Sequence, residues 1–322
     1  MNEALIEQQA PTPLPNRPGN GRRVSILGVP LGYGASMAGV DIGPAAMRVA
    51  RLNQRIAQLG YEVRDLGDLR ISRPQTVAEA GDKLKYLPEI AGACEELSRE
   101  VRNILGNEEL PIILGGDHSI AIGSISGVSS FYRERTEAVG LIWFDAHADM
   151  NTPETTPSGN IHGMPLAAVL GHGAPALTHI EGFAPKLDPR YCAHIGARDV
   201  DQGERDLIRQ LGLRFFTMRE IDERGMSACI DEAIVIAQRA PGGYCVTLDV
   251  DALDPGVAPG SGTVVRGGLT YRESHLAMEK IAEAGGMRSL EVVEINTALD
   301  SNNRTAELGV ELVLSALGKT IL

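Results

Sequence analysis

Short apolar runs alternate with helical stretches along nearly the whole chain, and this alternation limits the fold more than any other feature. We predict eight buried strands, at residues 24–30, 61–66, 110–114, 138–144, 192–197, 213–217, 244–248 and 290–294. Most segments between them have helical periodicity, such as a helix at 44–59 and another that opens with a Thr270–Glu273 capping box and closes at Gly285. Strands that alternate with helices are typical of an α/β fold with a mainly parallel sheet. An open sheet and a closed eight-stranded barrel both fit this count.

The composition agrees with a parallel sheet that is covered by helices. Aromatic residues make up only 4% of the 322 residues, whereas Gly is common, with 37 residues, and this balance does not suit a β-sandwich. Residues 1–22 contain four prolines and little apolar content, so we expect a flexible N-terminal tail there. We see no long linker and no internal repeat, and we therefore predict a single domain over residues 23–322.

Charge and hydropathy exclude several classes of partner. The formal net charge is −12, which argues against nucleic acid and mildly favours a cationic substrate. No apolar run approaches the ~20 residues that cross a bilayer, and the first residues lack the apolar segment of a signal peptide, so we expect no membrane partner. We interpret the four cysteines as core thiols of a cytoplasmic protein, since none forms a CxxC pair: Cys94, Cys192, Cys229 and Cys245.

Acidic and histidine residues follow three of the predicted strands. If the extended geometry continues past each strand, alternate residues point to the same side. Ligands bind at the carboxyl ends of strands in parallel sheets, so the three segments could converge. We interpret Asp117 and Asp254 as turn or helix-cap residues. The six side chains that we expect to meet are His118, Asp145, His147, Asp149, Asp249 and Asp251.

Such a set of side chains predicts a site for two metal ions. Four carboxylates in one pocket would repel one another strongly unless cations neutralised them. Six side chains suit two cations better than one, and the lack of cysteine argues against a structural zinc site. Mixed oxygen and imidazole ligands favour a harder ion such as Mn²⁺, although ligand type alone leaves Fe²⁺, Co²⁺ and Zn²⁺ open.

The three segments resemble the metal motifs of the ureohydrolase family, which includes arginases and agmatinases. The segments at residues 151–163 and 198–204 are similar to the arginase branch, and the resemblance is closest to bacterial arginases and runs over residues 23–322. It implies a three-layer α/β/α fold with an eight-stranded mainly parallel sheet, which favours the open sheet over the barrel. It also implies two Mn²⁺ ions per subunit and a homohexamer or homotrimer.

The resemblance implies hydrolysis of L-arginine to L-ornithine and urea, by attack of a metal-bridging hydroxide on the guanidinium carbon. All six expected side chains would then contact the metals. Asp149 would also accept a hydrogen bond from the hydroxide, His162 would protonate the leaving amine, and Glu294 would pair with the guanidinium. The remaining implied contacts are Asn151 and Ser158 at the α-carboxylate, Asp201 and Glu204 at the α-amino group, and Thr263 in the loop after the third motif.

Two positions depart from the usual family pattern, because Val264 and Thr297 stand where proline is common. Loss of proline loosens the backbone but removes no functional side chain. The nearest alternative function is that of an agmatinase or another guanidino-compound hydrolase, such as a guanidinoacid hydrolase. Agmatine has no carboxylate for Asn151 and Ser158 to bind. A single-metal deacetylase is less consistent with a motif set that fits two metals. A phosphatase should have basic residues close to the motifs, and none is evident. An inactive regulatory protein should lack a ligand, and the motif set is complete.

Overall fold

The structure is a computed structural model of the chain, and it describes residues 19–71 and 83–320. The predicted N-terminal tail lies outside these residues except at its last four positions. There the Gly19 N–H donates to the Leu59 carbonyl oxygen, and the Gly21 N–H donates to that of Gly60, both at 3.0 Å. These residues are therefore joined to the turn that precedes the second strand.

The described residues form one open sheet of eight strands, in which every neighbouring pair is parallel. The spatial order is β2-β1-β3-β8-β7-β4-β5-β6, so β3, β8, β7 and β4 occupy its centre. All eight predicted strands are present, with ends shifted by a few residues, and the open sheet is confirmed. The strands are β1 Arg23–Val29, β2 Glu62–Asp68, β3 Leu110–Gly115, β4 Gly140–Phe144, β5 Cys192–Ala197, β6 Arg214–Thr217, β7 Tyr244–Asp249 and β8 Met287–Val293.

Eleven α-helices within the described residues cover both faces of the sheet. One apolar core holds side chains of α1, α2, α8, α9, α10 and α11, and the other holds those of α3 to α6 with α7 packed against it. None of these helices is long and apolar enough to cross a membrane. In chain order they are α1 Gly43–Val49, α2 Leu52–Gln58, α3 Leu87–Gly106, α4 Ala121–Arg133, α5 Pro165–Val169, α6 Pro175–Thr178, α7 Gln202–Leu211, α8 Met218–Arg224, α9 Met226–Ala237, α10 Tyr271–Ala284 and α11 Arg304–Ala316.

The central strands are mostly apolar because both of their faces are covered. In β4, Leu141 and Trp143 pack into one core, while Ile142 and Phe144 pack into the other. The four cysteines are unpaired and buried, as predicted. A few buried polar residues lie within these strands, such as Thr247 in β7 and Glu291 in β8, whereas the candidate site lies at the strand ends.

The prediction of one helix over residues 44–59 was wrong, because the segment forms two helices, α1 and α2. The break falls at Arg51, which has a left-handed backbone with φ of 64°. The resulting change of direction leaves Leu52 and Ile56 fully buried against the sheet. By contrast, the capping box at Thr270 opens α10 and Gly285 ends it, as predicted.

Candidate active site

The predicted ligands lie at the carboxyl ends of the four central strands. His118 follows β3, Asp145 follows β4, and Asp249 is the last residue of β7. Glu294 comes directly after β8, which separates β3 from β7. Because these strands are neighbours in the sheet, residues far apart in sequence meet at one edge, as is usual for ligand sites in parallel α/β sheets.

Turns bring the ligands together, and the predicted continuation of strand geometry was wrong. Asp149 has a left-handed backbone with φ of 54°, so the extended conformation, in which alternate side chains point to the same side, does not continue from Asp145 to Asp149. Asp251 lies in the 3-10 turn Val250–Ala252, and its own N–H donates to the Asp249 carboxylate at 2.8 Å. The side chains meet because each strand is followed by a tight, hydrogen-bonded turn.

Asp117 and Asp254 stabilise such turns, as predicted. The Asp117 carboxylate accepts the Ser119 N–H at 3.0 Å and caps the 3-10 turn that carries His118. The Asp254 carboxylate accepts the N–H groups of Gly256 and Gly267.

The first set of candidate metal ligands surrounds the imidazole of His118. Its Nδ1 lies 3.1 Å from Oδ2 of Asp145, 3.0 Å from Oδ2 of Asp149 and 3.4 Å from Oδ2 of Asp249. We refer to His118, Asp145 and Asp249 as the His118 group, since their ligand atoms lie close enough together to hold one ion. All of these side chains are buried.

A second set shares Asp145 with the first. Nδ1 of His147 lies 3.4 Å from Oδ1 of Asp145 and 3.1 Å from Oδ2 of Asp251. We refer to Asp145, His147 and Asp251 as the His147 group, which could hold another ion. Asp145 thus presents one carboxylate oxygen to each group, as expected of a ligand that bridges two ions.

The chemistry of these residues fits two divalent cations. Nδ1 of His118 and Oδ2 of Asp149 are buried and have no hydrogen-bond partner among the described residues, although they lie only 3.0 Å apart. Buried polar atoms normally have partners, so atoms that face one another without a hydrogen bond indicate a shared cation. Imidazole and carboxylate ligands without thiolate suit hard or borderline ions.

The electrostatics of the cluster lead to the same conclusion. Burial and the charge of Asp145 raise the pKa of Asp149 to about 8. Burial alone would lower the pKa of His147, but the carboxylates of Asp145 and Asp251 raise it to about 12. Protons therefore balance the acidic charge of the cluster, and cations would replace them when bound.

The buried Glu294 and the partly buried His162 form a pair beside the candidate metal ligands. Nδ1 of His162 lies 2.9 Å from Oε1 of Glu294, which also accepts the backbone N–H of His118 at 3.0 Å. Glu294 has a left-handed backbone with φ of 62°, an uncommon conformation for a side chain of this size. The pair places a carboxylate and a proton carrier next to the His118 group.

A cavity of about 130 Å³ leads to the two groups. Asn151 donates to the Asp201 carboxylate at 3.0 Å, and Glu204 accepts the Asp201 N–H at 2.8 Å, so these three predicted contacts lie together at the start of α7. Ser158 is exposed, and the residues that line the cavity do not include it; its substrate role stays a prediction. The lining residues are His118, His147, Asp149, Asn151, His162, Gly163, Asp199, Asp201, Glu204, Asp249 and Thr263.

Sequence reasoning missed several residues that support the site. The Trp143 indole stacks on the His118 ring and donates to Asp145 at 3.1 Å. The Thr247 hydroxyl lies 2.9 Å from Nε2 of His118, and the guanidinium of Arg198 contacts the backbone at Asp251. Trp143 and Thr247 stand two residues before Asp145 and the end of β7, so strand periodicity could have identified them.

The chain is similar to known proteins over most of its length. The Arginase family matches residues 22–318. An arginase from Bacillus caldovelox is 48% identical over 300 residues, which cover 93% of this chain and 99% of that protein. An arginase from Bacillus subtilis is 46% identical and covers 94% and 99%. The crystal structure of an arginase from Bacillus cereus superposes with a TM-score of 0.88 at 46% identity, over 94% of this chain and 100% of that one.

Proposed function

Because this chain belongs to the arginase family, we propose that it hydrolyses L-arginine to L-ornithine and urea with two bound divalent cations. One observation supports this most strongly. Members of both ligand groups, His118 and His147, line the same cavity as His162, whose imidazole is paired with Glu294. The two ligand groups can hold cations, and the Glu294–His162 pair can bind a guanidinium and supply a proton.

The two ligand groups would hold the cations, and Asp149 would complete the His118 side. When bound, two divalent cations lower the pKa of water enough to supply a hydroxide nucleophile near neutral pH. A guanidinium is a poor electrophile, since resonance spreads its charge, so a strong nucleophile is required. Asp149 would accept a hydrogen bond from the attacking water and orient it.

Glu294 and His162 would act on the guanidinium. The Glu294 carboxylate is held by the His118 N–H, and its remaining lone pairs can accept charge-assisted hydrogen bonds from the substrate. His162 would donate a proton to the leaving amine, because its partner Glu294 favours the protonated imidazole. Glu294 would thus position the guanidinium for attack, and His162 would supply the proton when the carbon–nitrogen bond breaks.

The amino-acid end of the substrate would contact the start of α7. Asp201 and Glu204 supply carboxylates for an α-amino group, while the Asn151 amide and the Ser158 hydroxyl would meet the α-carboxylate. The Thr263 hydroxyl donates to Oδ2 of Asp251 at 3.0 Å, so its role is to hold a metal ligand as well as to line the cavity. Agmatine lacks the α-carboxylate and would leave the contacts with Asn151 and Ser158 unmade.

Four finer properties belong to the same proposal. We propose Mn²⁺ as the metal, which the oxygen and imidazole ligands support. We propose a homohexamer or homotrimer on the basis of the family resemblance. A cytoplasmic location is supported by the unpaired, buried cysteines, and a single catalytic domain over residues 23–322 by the lack of a long linker or internal repeat in the sequence. Metal analysis of the purified protein and light scattering on a size-exclusion column would test the metal and the assembly.

A urea-release assay tests the central proposal. Metal-stripped protein would be supplied with Mn²⁺ and given L-arginine or agmatine. We expect urea from L-arginine and little from agmatine. The variant Asn151→Ala should narrow this preference by weakening turnover of L-arginine alone. Equal activity on both substrates would contradict the assigned amino-acid pocket, and activity without added metal would contradict the metal centre.

A further inference from the structure

Arg198 binds the backbone at the start of the third metal motif. Its Nη2 donates to the carbonyl oxygens of Asp251 at 2.6 Å and Leu253 at 3.2 Å, and its Nη1 donates to that of Ala252 at 3.1 Å. Three successive carbonyl groups thus converge on one guanidinium. These bonds fix the direction in which the chain leaves β7 and turns at Asp251.

The same guanidinium reaches two other parts of the chain. Nη1 donates to the Gly196 carbonyl oxygen in β5 at 3.1 Å. Nη2 and Nε both donate to the Val265 carbonyl oxygen, at 2.8 and 3.2 Å. Arg198 therefore joins β5 to the turn after β7 and to the far end of the loop at residues 254–268.

This loop has no regular secondary structure in the described chain, and it carries Thr263. The Thr263 hydroxyl donates to Oδ2 of Asp251 at 3.0 Å, two residues before the Val265 carbonyl that Arg198 holds. Asp251 is consequently positioned twice by Arg198. Its backbone is bound directly, and its carboxylate is bound through the loop that Arg198 closes.

Close packing leaves the guanidinium little freedom. A Cβ added at Gly268 would lie 2.5 Å from Nη2 of Arg198 and 2.6 Å from the carbonyl carbon of Leu253. A lysine could keep the charge, but a single ammonium cannot reproduce a planar fork that bonds to five carbonyl groups.

We propose that Arg198 is a positioning residue that sets the affinity of the His147 group for its cation. This inference rests on the proposed metal-dependent function and deepens it. Asp251 belongs only to the His147 group, and within the described residues the guanidinium of Arg198 donates to backbone carbonyl groups and not to His118 or Asp249. Loss of these guanidinium bonds should therefore weaken the site of the His147 group far more than that of the His118 group, which the turn contacts only through the Asp251 N–H bond to Asp249.

Calorimetric titration of metal-stripped, full-length protein with Mn²⁺ tests this. We expect two binding events in the wild type. In Arg198→Lys and Arg198→Gln, one event should weaken about tenfold or more, as is usual when a group that orients a metal ligand is lost. The other event should stay within about twofold. The variant His147→Ala identifies which event belongs to the His147 group, because it removes a ligand of that group alone.

Two further variants complete the design. Arg214→Lys is the matched control, because Arg214 also donates to a carbonyl, that of Phe215 at 2.7 Å, but lies in the edge strand β6. It should leave both affinities unchanged. Thr263→Val replaces the hydroxyl that binds Asp251 with a methyl group and should weaken the same event as Arg198→Lys, which keeps the test valid if substitution of Arg198 prevents folding.

The outcomes separate this inference from the proposed function. Wild-type protein that fails to bind two Mn²⁺ ions would overturn the proposed function itself. Two normal events in Arg198→Lys, or equal weakening of both, would overturn the positioning role. Normal affinity in Arg198→Lys with weak affinity in Arg198→Gln would assign the effect to charge and would also overturn it.

Discussion

At the scale of single residues, Glu294 combines the features of a substrate-binding carboxylate. Only 1% of its surface is exposed, and its backbone has a positive φ of 62°. Uncommon backbone conformations persist where surrounding structure holds them, and they often occur at functional sites. Here the His118 N–H and the His162 ring hold the carboxylate.

We expect Glu294→Gln to lower kcat/KM for L-arginine by about 10–100-fold. A hydrogen bond to a charged group contributes ~1.5–3 kcal/mol, and the amide keeps the shape but loses the charge. Steady-state kinetics with Mn²⁺-loaded protein measures this. Glu283→Gln, on an exposed residue, is the control. Because Glu294 belongs to neither ligand group, Mn²⁺ affinity should be unchanged, and unaltered kinetics would contradict its role.

The protonation of His162 predicts how kcat depends on pH. Burial alone would lower its pKa, but the charge of Glu294 and the hydrogen bond to it raise the pKa to about 9. The proton that His162 donates is present below this pH and is lost above it. We therefore expect kcat to fall as the pH rises through about 9.

Substitution checks that this limb of the pH profile belongs to His162. In His162→Ala, kcat should fall by about 10²–10⁴-fold, the usual contribution of a general acid. Added imidazole should restore part of the activity. Full activity without imidazole, or an unchanged alkaline limb in the variant, would show that another group supplies the proton.

The candidate metal ligands could be predicted from sequence, whereas the contacts of Arg198 with the turn at Asp251 could not. Asp145 and His147 stand out because acidic and imidazole side chains directly follow an apolar run. Arg198 acts through backbone carbonyl groups at Asp251 and Val265, and such contacts leave no pattern of side chains in the sequence. Only the folded chain brings them together.

At the scale of elements, strands were easier to predict than the turns that follow them. The β4 residues are apolar on both faces, which marks a buried parallel strand without any knowledge of its neighbours. The turn at Asp149 depends on a left-handed residue, and the 3-10 turn at Asp251 depends on capping by Asp249. These local conformations are selected by hydrogen bonds with the rest of the fold, so periodicity alone predicted the wrong geometry.

The left-handed residue between α1 and α2 predicts that a glycine there would stabilise the protein. Arg51 is exposed and has φ of 64°, a conformation that costs a residue with a Cβ roughly 1–2 kcal/mol. Arg51→Gly should therefore raise the free energy of unfolding by about 0.5–1 kcal/mol, since the flexibility of glycine offsets part of the gain. Urea denaturation measures this. Arg51→Ala keeps the Cβ and should give no gain; an equal gain in both variants would contradict the backbone explanation.

At the scale of the whole molecule, the fold buries acidic groups at the edge where four strands end. The net charge is already −12, and the cluster includes Asp145, Asp149, Asp249 and Asp251 at low exposure. Repulsion among carboxylates opposes such an arrangement unless positive charge is present. In the metal-free protein protons supply it, so metal uptake, folding and pH are coupled.

Metal binding should therefore release protons. The pKa is about 12 for His147 and about 8 for Asp149, and nearby carboxylates raise that of His118 well above its ordinary value despite burial. At pH 7 these groups hold protons that a cation must displace. We expect more than one proton per chain to be released on saturation with Mn²⁺, and the apparent affinity should rise steeply as the pH increases towards about 8.

Calorimetry in two buffers with different ionisation enthalpies measures this release, because the observed heat changes with the buffer in proportion to the protons transferred. Asp149→Asn removes a group that is protonated at pH 7, so its titration should release fewer protons than that of the wild type. Heat that is independent of the buffer would mean that the cluster is already deprotonated in the metal-free protein. The buried carboxylates would then be neutralised in some other way, and metal affinity would show little dependence on pH.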